Sequence, residues 1–85
     1  MKYLVEFLGT LVFLFVIIYV NNPLATGAIL ATVIMIGGHI SGGYFNPAVT
    51  VMMAAANQLP NREVIPYIIA QIAGGLCALE IKKQL

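Results

Sequence analysis

Three apolar runs constrain this chain before any other feature does. Residues 3–20, 24–40 and 64–79 are almost free of charge, and each is close to the ~20 residues with which an α-helix crosses a bilayer. Glu6 is the one charged side chain in the first run. A chain of 85 residues has room for a single small domain, and a domain of that size buries little surface of its own in water. Hydrophobic residues make up 61% of it and charged residues 8%, whereas a soluble domain carries about a quarter charged residues. A water-facing surface built from these residues would be one continuous apolar patch, so lipid must be the solvent on most sides. The net charge of +1 gives no reason to expect a nucleic-acid partner.

The ends of the runs carry readable punctuation. A secretory signal would need a basic leading region and a small-residue cleavage site after the first run. That run ends instead at Asn21-Asn22-Pro23, with Lys2 as the only side-chain charge ahead of Glu6, and reads as a spanning helix. Asn22-Pro23 is an N-cap followed by proline at the first helical position. The second run contains Thr26, Thr32, Gly27, Gly37 and Gly38, small residues that allow close helix packing in lipid. Leu59-Pro60-Asn61 reads as a turn before the last run. Pro66 falls in the first turn of the helix that follows, where a missing N–H does least harm. Gly74-Gly75 permits a close helix crossing, and Glu80, Lys82 and Lys83 close the apolar stretch.

The segment between the second and last runs is of another kind. Ser41-Gly42-Gly43 does not easily continue a helix, and Asn46-Pro47 is a second N-cap and first-position pair. Helical character resumes from Ala48 to Ala56. At 1.5 Å per residue, about 11 residues cover roughly half the hydrocarbon thickness, which predicts a re-entrant half-helix over about 41–57. The expected fold is therefore an all-α membrane protein, a single unit over residues 1–85. Its spanning helices are expected at about 3–20, 24–40 and 62–80, with one re-entrant half-helix.

Irregular backbone at membrane depth survives only where protein buries it or a water-filled cavity solvates it. Residues 41–45 are thus a pore candidate on physical grounds. Their carbonyls would offer a row of acceptors to a polar solute. The half-helix would direct its first N–H groups, with about half a positive elementary charge, toward the pore centre, which disfavours cations and protons. Asn46 can offer its side-chain amide N–H to a passing hydroxyl. Pro47 fixes the turn, and Ala48 keeps the tip small.

The run from His39 to Thr50, His-Ile-Ser-Gly-Gly-Tyr-Phe-Asn-Pro-Ala-Val-Thr, resembles the first Asn-Pro-Ala loop of the aquaporin and aquaglyceroporin (major intrinsic protein) family. Glu6-Phe7-Leu8-Gly9-Thr10 resembles the signature of that family's first helix, and Tyr67-Ile68-Ile69-Ala70-Gln71, followed by Gly74, resembles its third. The resemblance implies half of a fold made from two inverted repeats, whose two Asn-Pro-Ala tips meet mid-membrane to form one pore. It implies Asn46 as the pore-centre donor, the carbonyls of Ser41, Gly42 and Gly43 in the solute path, and Glu6 as a hydrogen-bonding brace for the loop. It also implies assembly of complete pores into tetramers.

Departures from the family pattern shape the functional expectation. One Asn-Pro-Ala motif occurs in these 85 residues and no second. The position that the family fills with its filter arginine, after the second motif, corresponds here to Val49. The filter position in the second helix corresponds to Thr26, where the family usually has a bulkier aromatic or histidine. A filter built from these residues would be wider and less cationic, which favours a broader solute range over strict water selectivity. Passive permeation of water or small neutral solutes such as glycerol is expected, through a pore made by two half-repeats. With the amino terminus placed inside, Lys2 and Arg62 face Lys82 and Lys83 across the membrane, so the positive-inside rule gives little direction. Such a chain could insert both ways and form an antiparallel homodimer, or it could pair with a complementary half. A nonconducting interaction subunit and an inactive truncated half are the alternatives.

Blander roles stand beside these. Glu6 could lie near the interface and snorkel, which avoids the about 2.5–3.5 kcal/mol of a charge at the bilayer centre. His39, at the channel mouth, is more simply a packed, hydrogen-bonding residue than a pH sensor. Gln71, in an apolar helix, is expected to bond a neighbouring helix or loop rather than touch solute. Cys77 sits among Leu76, Ala78 and Leu79 as an inert thiol. One His and one Cys give no metal-ligand spacing, no cofactor is implied, and no catalytic group is evident.

Overall fold

The computed structural model describes residues 1–85 throughout. Four helices account for the chain. α1 spans Lys2–Phe15 and continues into a π-helical turn, Val16–Val20; α2 spans Pro23–Ser41, α3 Pro47–Ala55 and α4 Val64–Gln84. Three stretches are long and apolar enough to cross a bilayer: Lys2–Val20 with 19 residues, Pro23–Ser41 with 19 and Asn61–Gln84 with 24. The half-helix α3 has 9 residues, slightly shorter than the sequence suggests. α4 runs past Glu80 to Gln84, which places Lys82 and Lys83 in its last turn, where cations complement the negative end of the helix dipole.

Local chemistry sets the helix starts. The Asn22 side chain accepts the N–H groups of Leu24 and Ala25 at 2.9 and 3.0 Å, with Pro23 at the first helical position. Asn46 repeats the arrangement for α3, accepting the Ala48 N–H at 2.8 Å ahead of Pro47. Pro66 lies in the first turn of α4. At the far end of α1 the chain turns at Asn21, which takes the left-handed conformation with φ 54°. Asparagine tolerates that region better than most residues.

The contacts between helices define the topology. Glu63, just before α4, meets Lys2 and Tyr3 at the start of α1. Gln71 meets Glu6 further along, and a Cβ on Gly74 would come within 2.6 Å of the Phe7 carbonyl oxygen. α4 therefore runs parallel to α1, and their backbones nearly touch at Gly74. α2 runs antiparallel to α1, because its last residue, Ser41, returns to Glu6. The chain then plunges inward: Phe45 packs its ring on Gly9, and Asn46 and Pro47 share a groove with Thr10, Gln71 and Gly75. These residues lie near the midpoints of the first and last spans. α3 leads back out, so that Glu63 begins α4 on the side from which the loop entered. The re-entrant path expected from the short segment between the second and last runs is the path taken.

The outer surface is apolar. Leu4, Leu24, Met35, Ile36, Ile65, Ile69 and Leu76 are all exposed. The interior is unusually polar, for Glu6, Thr10, Ser41, Thr50, Glu63 and Gln71 are buried there. That inversion suits lipid as the solvent, where packing and internal hydrogen bonds hold helices together.

Candidate functional site: a re-entrant loop held on a buried carboxylate

Residues 42–46 connect α2 to α3 without regular structure. Gly42 and Gly43 have φ +97° and +69°, a region that glycine enters without a Cβ penalty. Phe45 follows with φ 51°, a conformation that costs an L-residue with a large side chain roughly 1–2 kcal/mol. Two contacts hold it there. Its ring is 1% exposed and fills the space beside Gly9, and its N–H is bound by Glu6.

Glu6 is completely buried and accepts four hydrogen bonds. Oε1 takes the Phe45 N–H and the Gln71 Nε2–H, each at 2.8 Å. Oε2 takes the Ser41 hydroxyl at 2.6 Å and the Tyr44 N–H at 3.1 Å. Snorkelling to an interface is incompatible with this enclosure. An ionised carboxylate is acceptor-only, and all four of its neighbours are donors. Gln71 extends the network by donating to the Thr50 hydroxyl oxygen at 2.7 Å, and the Thr50 hydroxyl donates to the Asn46 carbonyl at 3.0 Å. One polar chain thus ties α1, the loop, α3 and α4 together. Gln71 bonds helix and loop at once.

The remaining residues of interest fall into distinct places. Asn46, Pro47 and Ala48 are exposed at the tip of α3, and Val49 is half-buried in its first turn. The Asn46 oxygen is engaged by Ala48, whereas its amide nitrogen bonds nothing in the chain. Gly42 is exposed and Gly43 half-buried, and no internal donor reaches the carbonyl of either residue, nor that of Tyr44. Ser41 departs from expectation. It is 6% exposed, and its carbonyl accepts the Tyr67 hydroxyl at 2.7 Å, so the row of unbonded carbonyls begins one residue later and includes Tyr44. The reason is that α2 stays helical through Ser41, which turns that carbonyl inward to α4. Thr26 is half-buried near the start of α2, at the end of the helix away from the loop. His39 is not packed as expected: it is exposed in the last turn of α2, on the outer side of the helix, and forms no side-chain hydrogen bond. Phe45, Thr50, Tyr67 and Tyr44 escape sequence reasoning as site residues. An aromatic directly before Asn-Pro, and a polar residue four after Asn46, were the available signals.

Beside the tip lies a groove of about 410 Å³ between α1 and α4, lined by Thr10, Phe13, Phe45, Asn46, Pro47 and Gln71 among others. Two buried polar atoms of its walls, the Thr10 hydroxyl and the Gln71 side-chain oxygen, have no partner within the chain.

Three spanning helices around a half-helix that dips in and returns, with its loop fastened to a buried glutamate, make this an integral membrane chain with one re-entrant element. The chain matches the family described as Major intrinsic protein over residues 1–85, and it belongs to that family, whose members are channels rather than enzymes. It is similar to Aquaporin Z of Photorhabdus laumondii, with 48% identity over 63 residues, 74% of this chain and 27% of the relative. Aquaglyceroporin AqpS of Rhizobium meliloti is 46% identical over 57 residues, 67% of this chain and 24% of its own. Glycerol uptake facilitator protein-like 6 of Lactiplantibacillus plantarum is 42% identical over 86 aligned positions, 91% of this chain and 40% of its own. The chain thus spans about a quarter to two fifths of the length of these relatives. No solved structure matches it.

Proposed function

We propose that these residues form half of a pore for passive permeation of water and small neutral solutes such as glycerol, completed by a second half-repeat. The observation that carries this reading is the row of carbonyls at Gly42, Gly43 and Tyr44, unbonded within the chain and leading to the free amide nitrogen of Asn46. In hydrocarbon each such group would cost several kcal/mol; against a polar solute each is an asset. The half-helix adds its positive end at the same point. Aquaporin and glycerol-facilitator names among the relatives agree with a neutral solute. Thr26 and Val49, as filter positions, favour a wide passage.

The groove beside Asn46 supports pairing. Its lining sets the exposed Asn46 and Pro47 beside the apolar Phe13, Ile72 and Leu76, a surface that a second half-repeat seated there would cover. That second half could be a further segment of the same polypeptide, a second copy in the opposite orientation, or a different chain. Reconstitution in liposomes tests the reading, with osmotic shrinkage and glycerol re-swelling as readouts. Permeabilities above those of empty liposomes are expected, with a sharp loss in Asn46→Asp. Liposomes no more permeable than empty ones, with this chain alone and with a half-repeat carrying a second motif added, would sink it.

A further inference from the structure

The Tyr67 hydroxyl is engaged where a solute-facing loop would otherwise present one more acceptor. Tyr67 is 2% exposed, and its O–H donates to the Ser41 carbonyl at 2.7 Å. Its ring stands edge-on to Tyr3, with centroids 5.9 Å apart, and lies tilted against Tyr44 at 5.6 Å. Tyr44 in turn lies against one side of Gly42, since a Cβ there would come within 2.7 Å of the Tyr44 ring. The loop is consequently gripped on both sides of its polarity. Glu6 takes its N–H groups at Tyr44 and Phe45, and Tyr67 takes its carbonyl at Ser41. Donation at Ser41 also fixes the peptide plane from which the Gly42 backbone departs into the left-handed region.

We propose that Tyr67 is a positioning residue that withholds the Ser41 carbonyl from solute, and so makes Gly42 the first acceptor of the permeation row. This rests on the pore reading above. A row that starts at Gly42 runs through Gly43 and Tyr44 toward Asn46. Release of Ser41 adds one acceptor at the mouth of the loop and loosens the Gly42–Gly43 turn. A solute with several hydroxyls gains more from an added acceptor than water does, so selectivity is the property that Tyr67 sets.

The test uses Tyr67→Phe in lipid bilayers, which keeps the ring between Tyr3 and Tyr44 and removes only the hydroxyl. Solid-state NMR on protein labelled at the carbonyl carbons reads the bond and the exposure separately. In the wild type the Ser41 carbonyl is expected to receive no magnetisation from water, whereas Gly42 and Gly43 do. In the variant the Ser41 shift moves and water contact appears. The glycerol-to-water permeability ratio of the variant is expected to rise about threefold, the scale of one neutral hydrogen bond. The proposal is overturned if Ser41 contacts water equally in both proteins. It is also overturned if its shift does not change, or if both permeabilities fall together at a constant ratio, as a merely structural tyrosine would produce. Wild-type protein that shows no water at Gly42 and Gly43, and does not conduct even with a half-repeat carrying a second motif added, would instead defeat the pore reading, with the Ser41 shift still reporting the bond.

Discussion

The carboxylate of Glu6 meets the backbone N–H of Phe45 at 2.8 Å, across 39 residues of sequence and at a point where Phe45 holds φ 51°. The strained residue and its anchor are both buried. Strain of this kind persists only where the surroundings over-determine it, and here three further donors converge on the same carboxylate.

Glu6→Gln should expose that dependence. The amide supplies one acceptor oxygen and turns an NH₂ group toward donors that already need acceptors. With hydrogen bonds to a charged group worth about 1.5–3 kcal/mol each, a loss of about 3 kcal/mol is expected, without loss of membrane insertion. Thermal unfolding in detergent and amide exchange at Tyr44 and Phe45 check it. Unchanged exchange at both amides would mean that Glu6 does not hold the loop.

Gly9→Ala and Gly27→Ala form a matched pair. A Cβ at Gly9 collides with the Phe45 ring, whereas at Gly27 nothing lies within 4 Å. Overpacking in a filled site costs typically 1–3 kcal/mol, so Gly9→Ala should lower Tm and disturb the loop. Gly27→Ala should be neutral or slightly stabilising, because alanine is the better helix former by about 1 kcal/mol. Equal melting temperatures for the two variants would show that Phe45 does not fill the space beside Gly9.

The parts of this fold that were legible in the sequence are the local ones. Asn22-Pro23 and Asn46-Pro47 announce helix starts because a cap is made within three residues. The short run after Asn46 announces a half-helix by length alone. Glu6 is different. Its partners lie 35 to 65 positions away, beyond the reach of periodicity, and only the resemblance of Glu6-Phe7-Leu8-Gly9-Thr10 to a family signature pointed to them. The Tyr67–Ser41 bond and the Glu63 contacts with Lys2 and Tyr3 depend on the register of α4 against α1, which the close approach at Gly74 sets. No local pattern encodes that register.

Asn46 serves two purposes that substitution can separate. Its oxygen caps α3 through Ala48, and its amide nitrogen bonds nothing within the chain, in a residue that lines the groove. Asp caps a helix about as well as Asn, while Ala loses roughly 1 kcal/mol. Asn46→Asp should therefore keep near-wild-type Tm and lose permeation, and Asn46→Ala should lose both. Circular dichroism melts beside the liposome assay distinguish the two, and an Asn46→Asp protein that conducts normally would remove the amide donor from the mechanism.

His39 is the remaining group that could make permeation respond to pH, since histidine is the side chain whose ordinary range lies there. Its position argues against that. The imidazole is exposed in the last turn of α2 and bonds to nothing in the loop, so gaining a proton breaks no contact of Glu6, Ser41 or Tyr67. A charge at the mouth also does little to a solute that carries none. Stopped-flow permeability of wild type and His39→Ala should accordingly be flat and equal between about pH 5 and 8, the window in which histidine titrates. A step in the wild-type profile that vanishes in His39→Ala would assign His39 a gating role, and would require the Gly42–Tyr44 row to move when the last turn of α2 is charged.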